Sequence, residues 1–468
     1  MPAEKSRRVP PFTGVLLLVM VTTGLVVVDA TIVTIGLPQI GAELAGGSSA
    51  ESVVVTYLIT MGAVTQVAGS VSDRWGRRPL VLAGIALFTL ASLAATQAPT
   101  LVFLDLARVA QGVGAAVIMV NGIPLLAGRY DGEERNLAIG AWGSFATAAG
   151  LIAPAVGGLL IDTFGWRAVF AINLPLGAAA LLLAARVLPR SRRAGPEPRP
   201  RPDWAGSLLI MVGLGTATMI MLRSDRAAWT GADTVLAAVA AVALMIFIIV
   251  QFRVGSPTLE PRLFAKPAFS GAMVAIFLSR ALTTGGAVYL VLYFAEALRL
   301  GPTEAGLLMT PIFVAQMITG MVGSKLLSYW PPGLVIGLGY ALKAVGLAAL
   351  AVLVTPDTPW WVLLVPLLAW GGGGGIAGAP VMAVAVNVTD PDRVGMVAGT
   401  VSSLASLGAG VGTGMLGAVF AGYGGSSPQA VADGVRAVLL AATALAVLAV
   451  LTTLVLINPR RVPRPTPQ

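Results

Sequence analysis

The stretch GSVSDRWGRRP, residues 69–79, is the most informative segment of the chain. It joins two long apolar segments and combines one aspartate with three arginines. One glycine allows a helix to approach closely and the other allows a tight turn, while the aspartate can meet a helix N-terminus or an arginine. Arg77 and Arg78 can pair with carboxylates of a second helical bundle, or they can simply anchor a cytoplasmic loop. The candidate gating residues are Gly69, Asp73, Arg74, Gly76, Arg77 and Arg78.

The composition around this segment is that of a membrane protein. Hydrophobic residues make up 56% of the 468 residues and charged residues only 11%, whereas soluble domains carry about 25% charged residues. The absence of histidine and cysteine excludes His- or thiolate-bound metals, Ser-His-Asp triads, cysteine nucleophiles and disulfides. No lysine follows a glycine, so there is no Walker A loop. We therefore expect no enzyme, no catalytic or metal-binding residues and no cofactor.

Apolar segments long enough to span a bilayer recur along the whole chain. A spanning helix needs about 20 largely apolar residues. The first segment is too long for a signal peptide and carries Asp29, so we interpret it as an uncleaved span. The sequence predicts an all-α integral membrane protein with fourteen transmembrane helices: 12–40, 51–71, 79–97, 100–128, 136–160, 167–188, 204–222, 232–252, 267–297, 302–326, 333–354, 360–386, 394–420 and 432–457.

The distribution of lysine and arginine predicts the orientation. With the N-terminus inside, the cytoplasmic segments hold 22 of the 30 basic residues, the outer segments five and the spans three. This bias indicates that both termini are cytoplasmic. The net charge of +9 is therefore a topology signal and does not indicate nucleic-acid binding.

A faint repeat at a spacing of 258 residues divides the chain into halves. Glu134-Arg135 matches Asp392-Arg393, and Gly150 matches Gly408. Repeated halves are typical of secondary transporters. The Pro/Arg-rich linker either binds lipid headgroups or a partner, or is a solvated connector. The predicted units are an N-terminal six-helix bundle (1–188), the linker (189–203), two inserted helices (204–253), a C-terminal six-helix bundle (254–458) and a cytoplasmic tail (459–468).

Five segments identify a family resemblance. The loop at 69–79 resembles the signature loop of the major facilitator superfamily. VVVDATIVTIGLP (26–38) and LDLARVAQGVGAA (104–116) resemble the first- and fourth-helix motifs of its fourteen-helix drug:H+ antiporter family, as does WRAVFAINLPLG (166–177). GLIAPAVGG (150–158) is similar to the fifth-helix antiporter motif but has Ala153 where glycine is expected. The matching antiporter-motif residues are Gly150, Pro154, Gly157 and Gly158.

The resemblance implies a major-facilitator-like fold and proton-driven export of hydrophobic or amphipathic small molecules, such as drugs or antibiotics, by alternating access. The expected partners are a small-molecule substrate, protons and membrane lipid, with no nucleic acid, and the protein is expected to act as a monomer in the cell membrane. The alternatives are an exporter of a lipid or of one endogenous metabolite, and a membrane enzyme or sensor.

Asp29 and Arg108 are the candidate proton-coupling residues. An ionisable group inside a span is costly and is a functional candidate by default. Helix directions place both residues in the outer half of the membrane, and a carboxylate is the natural proton carrier in a chain without histidine. The alternative is a permanent ion pair that locks two helices together. Asp105, one turn from Arg108, is expected to orient the arginine.

Arg280, Lys343 and Glu296 are the candidate substrate-cavity residues. Both cations lie near the middle of predicted spans, where a charge seldom faces lipid. If they face the cavity, they favour anionic or zwitterionic cargo. The alternatives are pairing with Asp29 across the cavity and a lysine that extends to the interface. Glu296 either faces the cavity or is a charge on its rim.

Overall fold

The structure is a computed structural model that describes residues 13–45, 50–189, 203–222, 230–255, 257, 261–388 and 394–457. All regular secondary structure in these residues is helical. The first part contains α1 (Gly14–Ile40), α2 (Ser52–Trp75), α3 (Arg77–Thr96), α4 (Leu101–Ala127), α5 (Gly132–Phe164), α6 (Ala168–Ala171) and α7 (Asn173–Val187). A hairpin of α8 (Trp204–Leu222) and α9 (Gly231–Arg253) follows. The last part contains α10 (Pro261–Phe264), α11 (Pro267–Arg280), α12 (Gly286–Leu292), α13 (Pro302–Leu326), α14 (Pro332–Leu353), α15 (Leu364–Asn387), α16 (Val394–Tyr423) and α17 (Pro428–Leu456).

Twelve helical stretches in the described residues are long and apolar enough to cross a membrane. The sequence predicted fourteen spans. The other two, α2 and α8, are present as helices, and their described apolar stretches, Ser52–Thr65 and Trp204–Ala217, end where the next side chain lies outside the described residues.

Two of the spans contain π-helical turns. The π turn Gly41–Ala45 extends α1, so the first span runs to Leu44 instead of ending at residue 40. Asp29 therefore lies halfway along this span. The sequence analysis, which ended the span at residue 40, placed Asp29 in the outer half. The span Pro267–Ala297 comprises α11, α12 and the π turns Ala281–Gly285 and Tyr293–Ala297. Such insertions occur frequently at functional sites.

The helices before the hairpin and those after it pack into two groups. Among the first, α1 contacts α4, α5 and α7, and α4 contacts α2 and α3. In the second, α14 packs between α15 and α17, and α11 contacts α15, α16 and α17. Buried apolar side chains fill both groups, including Ile32, Phe88 and Phe170 in the first and Leu347, Trp370 and Leu439 in the second.

Two helix pairs, α5–α13 and α2–α16, make the main contacts between the groups, and each pair takes one helix from either group. Along the pair α5–α13, a Cβ atom at Gly158 would overlap the carbonyl oxygen of Pro302, and one at Gly306 would overlap that of Pro154. The backbone N–H of Thr303 donates to the Asp162 carboxylate at 2.9 Å. We call the end of the molecule where these helices meet the closed end.

The same two helices separate toward their other ends. At Gly150 a Cβ would still lie 3.9 Å from the Phe313 ring, whereas at Gly143 and Gly140 it would have no neighbour within 4 Å. The side chains of Ser144 and Thr147 in this part of α5 are exposed. We call this the open end.

The second pair, α2–α16, is covered by the inserted hairpin. The Ser403 hydroxyl of α16 donates to the Gly62 carbonyl of α2. Ile210 of α8 and Phe247 of α9 join a buried apolar cluster with Ile59 of α2 and Leu407 of α16. The hairpin is held together by Gln251, which donates to Asp203 at 2.6 Å. The inserted helices thus pack over one of the two contacts between the groups.

The close approach at Gly306 generates the first prediction. Gly306→Leu should force α5 and α13 apart at the closed end, because its side chain would occupy the space of the Pro154 carbonyl. Overpacking costs about 1–3 kcal/mol, which shifts a conformational equilibrium about 5- to 150-fold. The chain has no native cysteine, so spin labels at Leu159→Cys and Leu307→Cys, two exposed closed-end positions, report the separation. We expect the longer distance to dominate in double electron–electron resonance.

Gly140→Leu is the matched control, because Gly140 lies at the open end of α5, where an added Cβ meets nothing within 4 Å. It should leave the distance distribution of the two labels unchanged. An unchanged distribution in Gly306→Leu would contradict the role assigned to this contact.

Candidate functional site

Asp29 of α1 and Arg108 of α4 form a buried ion pair. Nη1 of Arg108 lies 2.5 Å from Oδ2 of Asp29, and the two side chains are 0% and 1% exposed. Asp29 lies among apolar residues of α1, so its charge depends on Arg108 for compensation. Arg108 and Asp105 share no hydrogen bond in the described structure. Ser52 donates to Asp105 at 3.1 Å, so the predicted orienting role of Asp105 has no hydrogen bond to support it.

Three uncharged polar residues complete the network around the pair. Asn173 of α7 donates to Oδ1 of Asp29 at 2.8 Å, and Gln111 donates to the same oxygen at 3.3 Å. The amide oxygen of Gln111 accepts from Arg108 at 3.0 Å. Ser92 of α3 accepts from Gln111 at 2.7 Å and from Asn173 at 3.3 Å. The helices α1, α3, α4 and α7 of the first group therefore meet in one hydrogen-bond network around Asp29.

Arg108 is also fixed from α2. Its Nε donates to the carbonyl oxygen of Val53 at 3.0 Å, and its guanidinium carbon lies 4.0 Å from the centroid of the Tyr57 ring. A cation over an aromatic face gains electrostatic stabilisation when both are desolvated. The Tyr57 hydroxyl and the Asn173 amide oxygen have no hydrogen-bond partner in the described part of the chain. Hydrogen-bonding capacity is thus left beside the pair.

This arrangement keeps the Asp29 side chain away from bulk solvent. Three donors point at its two oxygens, which can accept about four hydrogen bonds in all. Because the donors belong to α4 and α7, movement of these helices relative to α1 changes how many hydrogen bonds the carboxyl group accepts. The geometry thus links the hydrogen bonding of Asp29 to the packing of three helices.

The loop after α2 binds carbonyl groups of its own helix group. Gly76 has φ +92°, a value that favours glycine, and Gly69 packs against Val120 of α4. Arg77 donates to the Pro124 carbonyl at 2.7 Å and Arg78 to the Ala185 carbonyl at 2.9 Å. The sequence predicted carboxylate partners in a second bundle, but these hydrogen bonds reach the ends of α4 and α7. Arg74 is exposed, and the Asp73 side chain lies outside the described residues.

The glycines of the 150–158 motif lie at helix contacts on two sides of α5. A Cβ at Gly157 would lie 2.7 Å from the Ile32 side chain of α1, whereas Gly158 faces α13 and Gly150 lies between Val27 and Phe313. Pro154 is accommodated within the continuous helix α5. Ala153, the departure from the family pattern, is buried without disrupting the helix.

Lys343 and Arg280 lie near each other, because the Lys343 ammonium donates to Ser279, the residue before Arg280, whereas Glu296 is remote from both. Lys343 is buried in the middle of α14, Arg280 is exposed at the end of α11, and Glu296 is exposed in the π turn at the closed end. Asp29 is bonded to Arg108, so the alternative of pairing with Arg280 or Lys343 across the cavity is wrong. Burial of Lys343 also contradicts the alternative of a lysine that extends to the interface.

Comparison with known proteins identifies the family of this helical arrangement. The family model described as the Major Facilitator Superfamily matches residues 19–279 and 272–468, nearly the whole chain. The chain belongs to the major facilitator superfamily. This superfamily member, with its twelve long apolar helices, is a multi-pass membrane transporter.

Several relatives within the superfamily are efflux proteins by name. The drug efflux pump JefA of Mycobacterium tuberculosis is 30% identical over 89% of this chain and 83% of its own length. The cephamycin export protein CmcT of Amycolatopsis lactamdurans is 30% identical over 86% and 84% of the two chains. The methylenomycin A resistance protein of Streptomyces coelicolor is 29% identical over 78% and 77%.

Solved structures show the same fold. A bacterial homologue of the human lysosomal transporter Spinster, in an inward-facing and occupied conformation, aligns with a TM-score of 0.67 at 16% identity, covering 97% of this chain and 98% of that one. A D-xylose-proton symporter aligns with a TM-score of 0.64 at 14% identity, covering 96% and 98%.

The sequence analysis of this superfamily member missed part of the site. Gln111 and Asn173 lie within the quoted motifs at 104–116 and 166–177, and an uncharged polar residue inside an apolar span was the available signal. Ser92 and Tyr57 lie outside every motif, and their residue types are common in membrane helices. Their roles become visible only when α2 and α3 are placed against α4.

The burial of the ion pair generates the second prediction. Arg108→Met should destabilise the protein by about 3–5 kcal/mol, because it leaves Asp29 buried without a counter-charge. The double variant Asp29→Asn/Arg108→Met should recover much of this loss. The midpoint of thermal unfolding of the purified protein in detergent measures both effects.

Arg167→Met is the matched control, since Arg167 pairs with Glu43 at 2.7 Å but both side chains are nearly half exposed. Such a pair contributes about 0–1 kcal/mol. Equal decreases in the unfolding midpoint for Arg108→Met and Arg167→Met would contradict the special position of the buried pair.

Proposed function

We propose that this chain exports hydrophobic or amphipathic small molecules, including antibiotics, in exchange for protons. The observation that carries the proposal is the Asp29 carboxylate, which is buried in a span and bonded to donors on two other helices. The names of relatives, a drug efflux pump and an antibiotic export protein, support small-molecule efflux as the direction and cargo class.

The proposed topology has fourteen membrane spans with both termini in the cytoplasm. It adds α2 and α8 to the twelve candidate spans. Both are helical, and each packs against a full span, α2 against α4 and α8 against α9. The excess of arginine and lysine at the open end supports a cytoplasmic location of that end. The predicted units at 1–188, 204–253 and 254–458 then form the two bundles and the inserted hairpin, with 189–203 and 459–468 in the cytoplasm.

Alternating access in this proposal is a rocking of one bundle against the other. The contacts α5–α13 and α2–α16 are lined by small residues, which let helices separate and approach again without rearranging long side chains. Residues 69–78 act as the cytoplasmic gate when the open end closes. Cargo enters from the open end, and one chain is sufficient, with the proton gradient as energy source and no cofactor.

The coupling role of Asp29 generates the third prediction. Asp29→Asn should abolish export driven by a pH gradient in proteoliposomes, because the amide cannot carry a proton, while its oxygen can still accept from Arg108. Exchange of labelled for unlabelled cargo without a gradient should remain within about twofold of the wild type. The measurement compares uphill transport with exchange in the same vesicles, using labelled amphipathic cargo molecules of positive, negative and zero charge.

Asp357→Asn serves as the control, since Asp357 is an exposed carboxylate in the connection between α14 and α15. It should retain gradient-driven export. If Asp29→Asn instead lost both uphill transport and exchange, Asp29 would be a structural residue; unchanged uphill transport would remove it from coupling.

A further inference from the structure

Lys343 is a buried cation without a carboxylate partner. It lies halfway along α14 and is 1% exposed. Its ammonium group donates to the Thr283 hydroxyl at 3.0 Å and to the Ser279 hydroxyl at 3.3 Å. No carboxylate lies within 4 Å of it in the described residues. Hydroxyl groups solvate an ammonium only partly, so the charge remains uncompensated in an apolar region.

The glycine run of α15 makes room for this lysine. A Cβ at Gly373 would lie 2.9 Å from Cβ of Lys343, and one at Gly374 would lie 3.6 Å from its Nζ atom. The same Gly374 position is 3.8 Å from the Gln316 amide carbon of α13. The lysine side chain therefore crosses the face of α15 toward α11 and ends near a side-chain amide. A side chain at Gly373 would displace it, whereas a Cβ at Gly374 would come into van der Waals contact with its ammonium group.

Arg280 lies on α11, the helix whose Ser279 hydroxyl accepts a hydrogen bond from Lys343. It directly follows Ser279 and, unlike Lys343, is exposed although it lies near the middle of the span Pro267–Ala297. The opposite face of this helix is packed: Leu278 and Leu282 are buried, and Gly271 lies against Leu456 of α17. Arg280 thus points away from α17, toward the space between the bundles.

The acidic residues of this bundle are remote from both cations. The described residues from 261 onward contain four, and all lie at or near the closed-end termini of helices: Glu296, Glu304, Asp357 and Asp433. Glu296 is 13 residues beyond Thr283, a helical rise of about 20 Å. In the first bundle, by contrast, Arg108 has Asp29 in direct contact. None of the acidic residues described in the second bundle is therefore placed to compensate Lys343 or Arg280.

We propose that Lys343 and Arg280 form the recognition site for a negatively charged group on the cargo. The inference rests on the proposed export function and specifies its substrate class: amphipathic molecules that carry a carboxylate or a comparable acidic group. The planar guanidinium of Arg280 binds the acid from the cavity side, and Lys343 supplies the second positive charge behind it. The Gln316 amide is placed to contact the same group, and Ile276, one turn before Arg280, offers apolar surface to the rest of the molecule.

Equilibrium binding of three matched probes tests this site. Pyrenebutyrate, pyrenebutanol and pyrenebutylamine share one ring system and chain but are anionic, neutral and cationic. Their fluorescence is titrated against the full chain in nanodiscs of neutral lipid. We expect the wild type to bind pyrenebutyrate at least tenfold more tightly than pyrenebutylamine. Lys343→Gln and Arg280→Gln should each weaken pyrenebutyrate binding about tenfold and leave pyrenebutanol binding within twofold.

Lys325→Gln is the matched control, because Lys325 is exposed near the open end of α13. It should leave all three affinities unchanged. Arg280→Gln alters an exposed side chain, so it tests the site even if Lys343→Gln fails to fold. Equal affinity for the three probes in the wild type, or an equal loss of all three in the variants, would overturn the inference.

The binding assay needs no proton gradient, which separates this inference from the proposed function. A preference for pyrenebutyrate without gradient-driven export would contradict proton-coupled export and leave the anion site supported. Gradient-driven export of cationic dyes together with no preference for pyrenebutyrate would support the proposed function and overturn the anion site.

Discussion

The cost of placing a charge in an apolar medium is the constraint on which the organisation of this transporter depends. A charged side chain in the middle of a bilayer is retained only when other groups compensate it. In the first bundle the compensation is internal, because Asp29 and Arg108 neutralise each other and Gln111, Asn173 and Ser92 form hydrogen bonds around them. In the second bundle, the Lys343 ammonium donates to two hydroxyl groups and lies 5.9 Å from the centroid of the Tyr340 ring, with no carboxylate within 4 Å in the described residues. The two halves share an architecture but differ in how their charges are compensated.

Small residues give the two bundles their mobile contacts. Gly158 and Gly306 allow backbone to lie against backbone at the closed end, and Gly62 does the same between α2 and α16. Contacts of this kind carry little side-chain interdigitation, so they can separate without repacking a core. The inserted hairpin covers α2–α16 but not α5–α13. Separation at α5–α13 therefore displaces fewer side chains than separation at the covered contact.

The sequence predicted the fold class and the proximity of Asp29 and Arg108 because both depend on strong local signals. Long apolar segments can only be membrane helices, and a charge within one stands out against its neighbours. The network around the pair was harder to predict, since Ser92 and Tyr57 differ little from ordinary residues of membrane helices and act only through contacts between helices. The π turn at Gly41–Ala45 was not predicted either, because no residue type encodes the extra residue in the turn. The carbonyl partners of Arg77 and Arg78 are likewise backbone groups, which a motif of side chains does not reveal.

The conformation described here fits one particular step of the proposed exchange transport. With the open end facing the cytoplasm, cargo can enter the space between the bundles while Asp29 is bonded to Arg108. The closed end, held by Gly158, Gly306 and the contact of Asp162 with Thr303, separates Asp29 from the other side of the membrane. In the proposed cycle, a proton from that side reaches Asp29 only after this end has opened, and the same opening releases the cargo. A proton bound to Asp29 would weaken its attraction to Arg108 and thereby alter the packing of α1, whose Gly36 and Ile32 lie against α5 near the closed end. Proton entry and cargo release would then depend on one and the same opening, which is the condition that makes transport an exchange and not a leak.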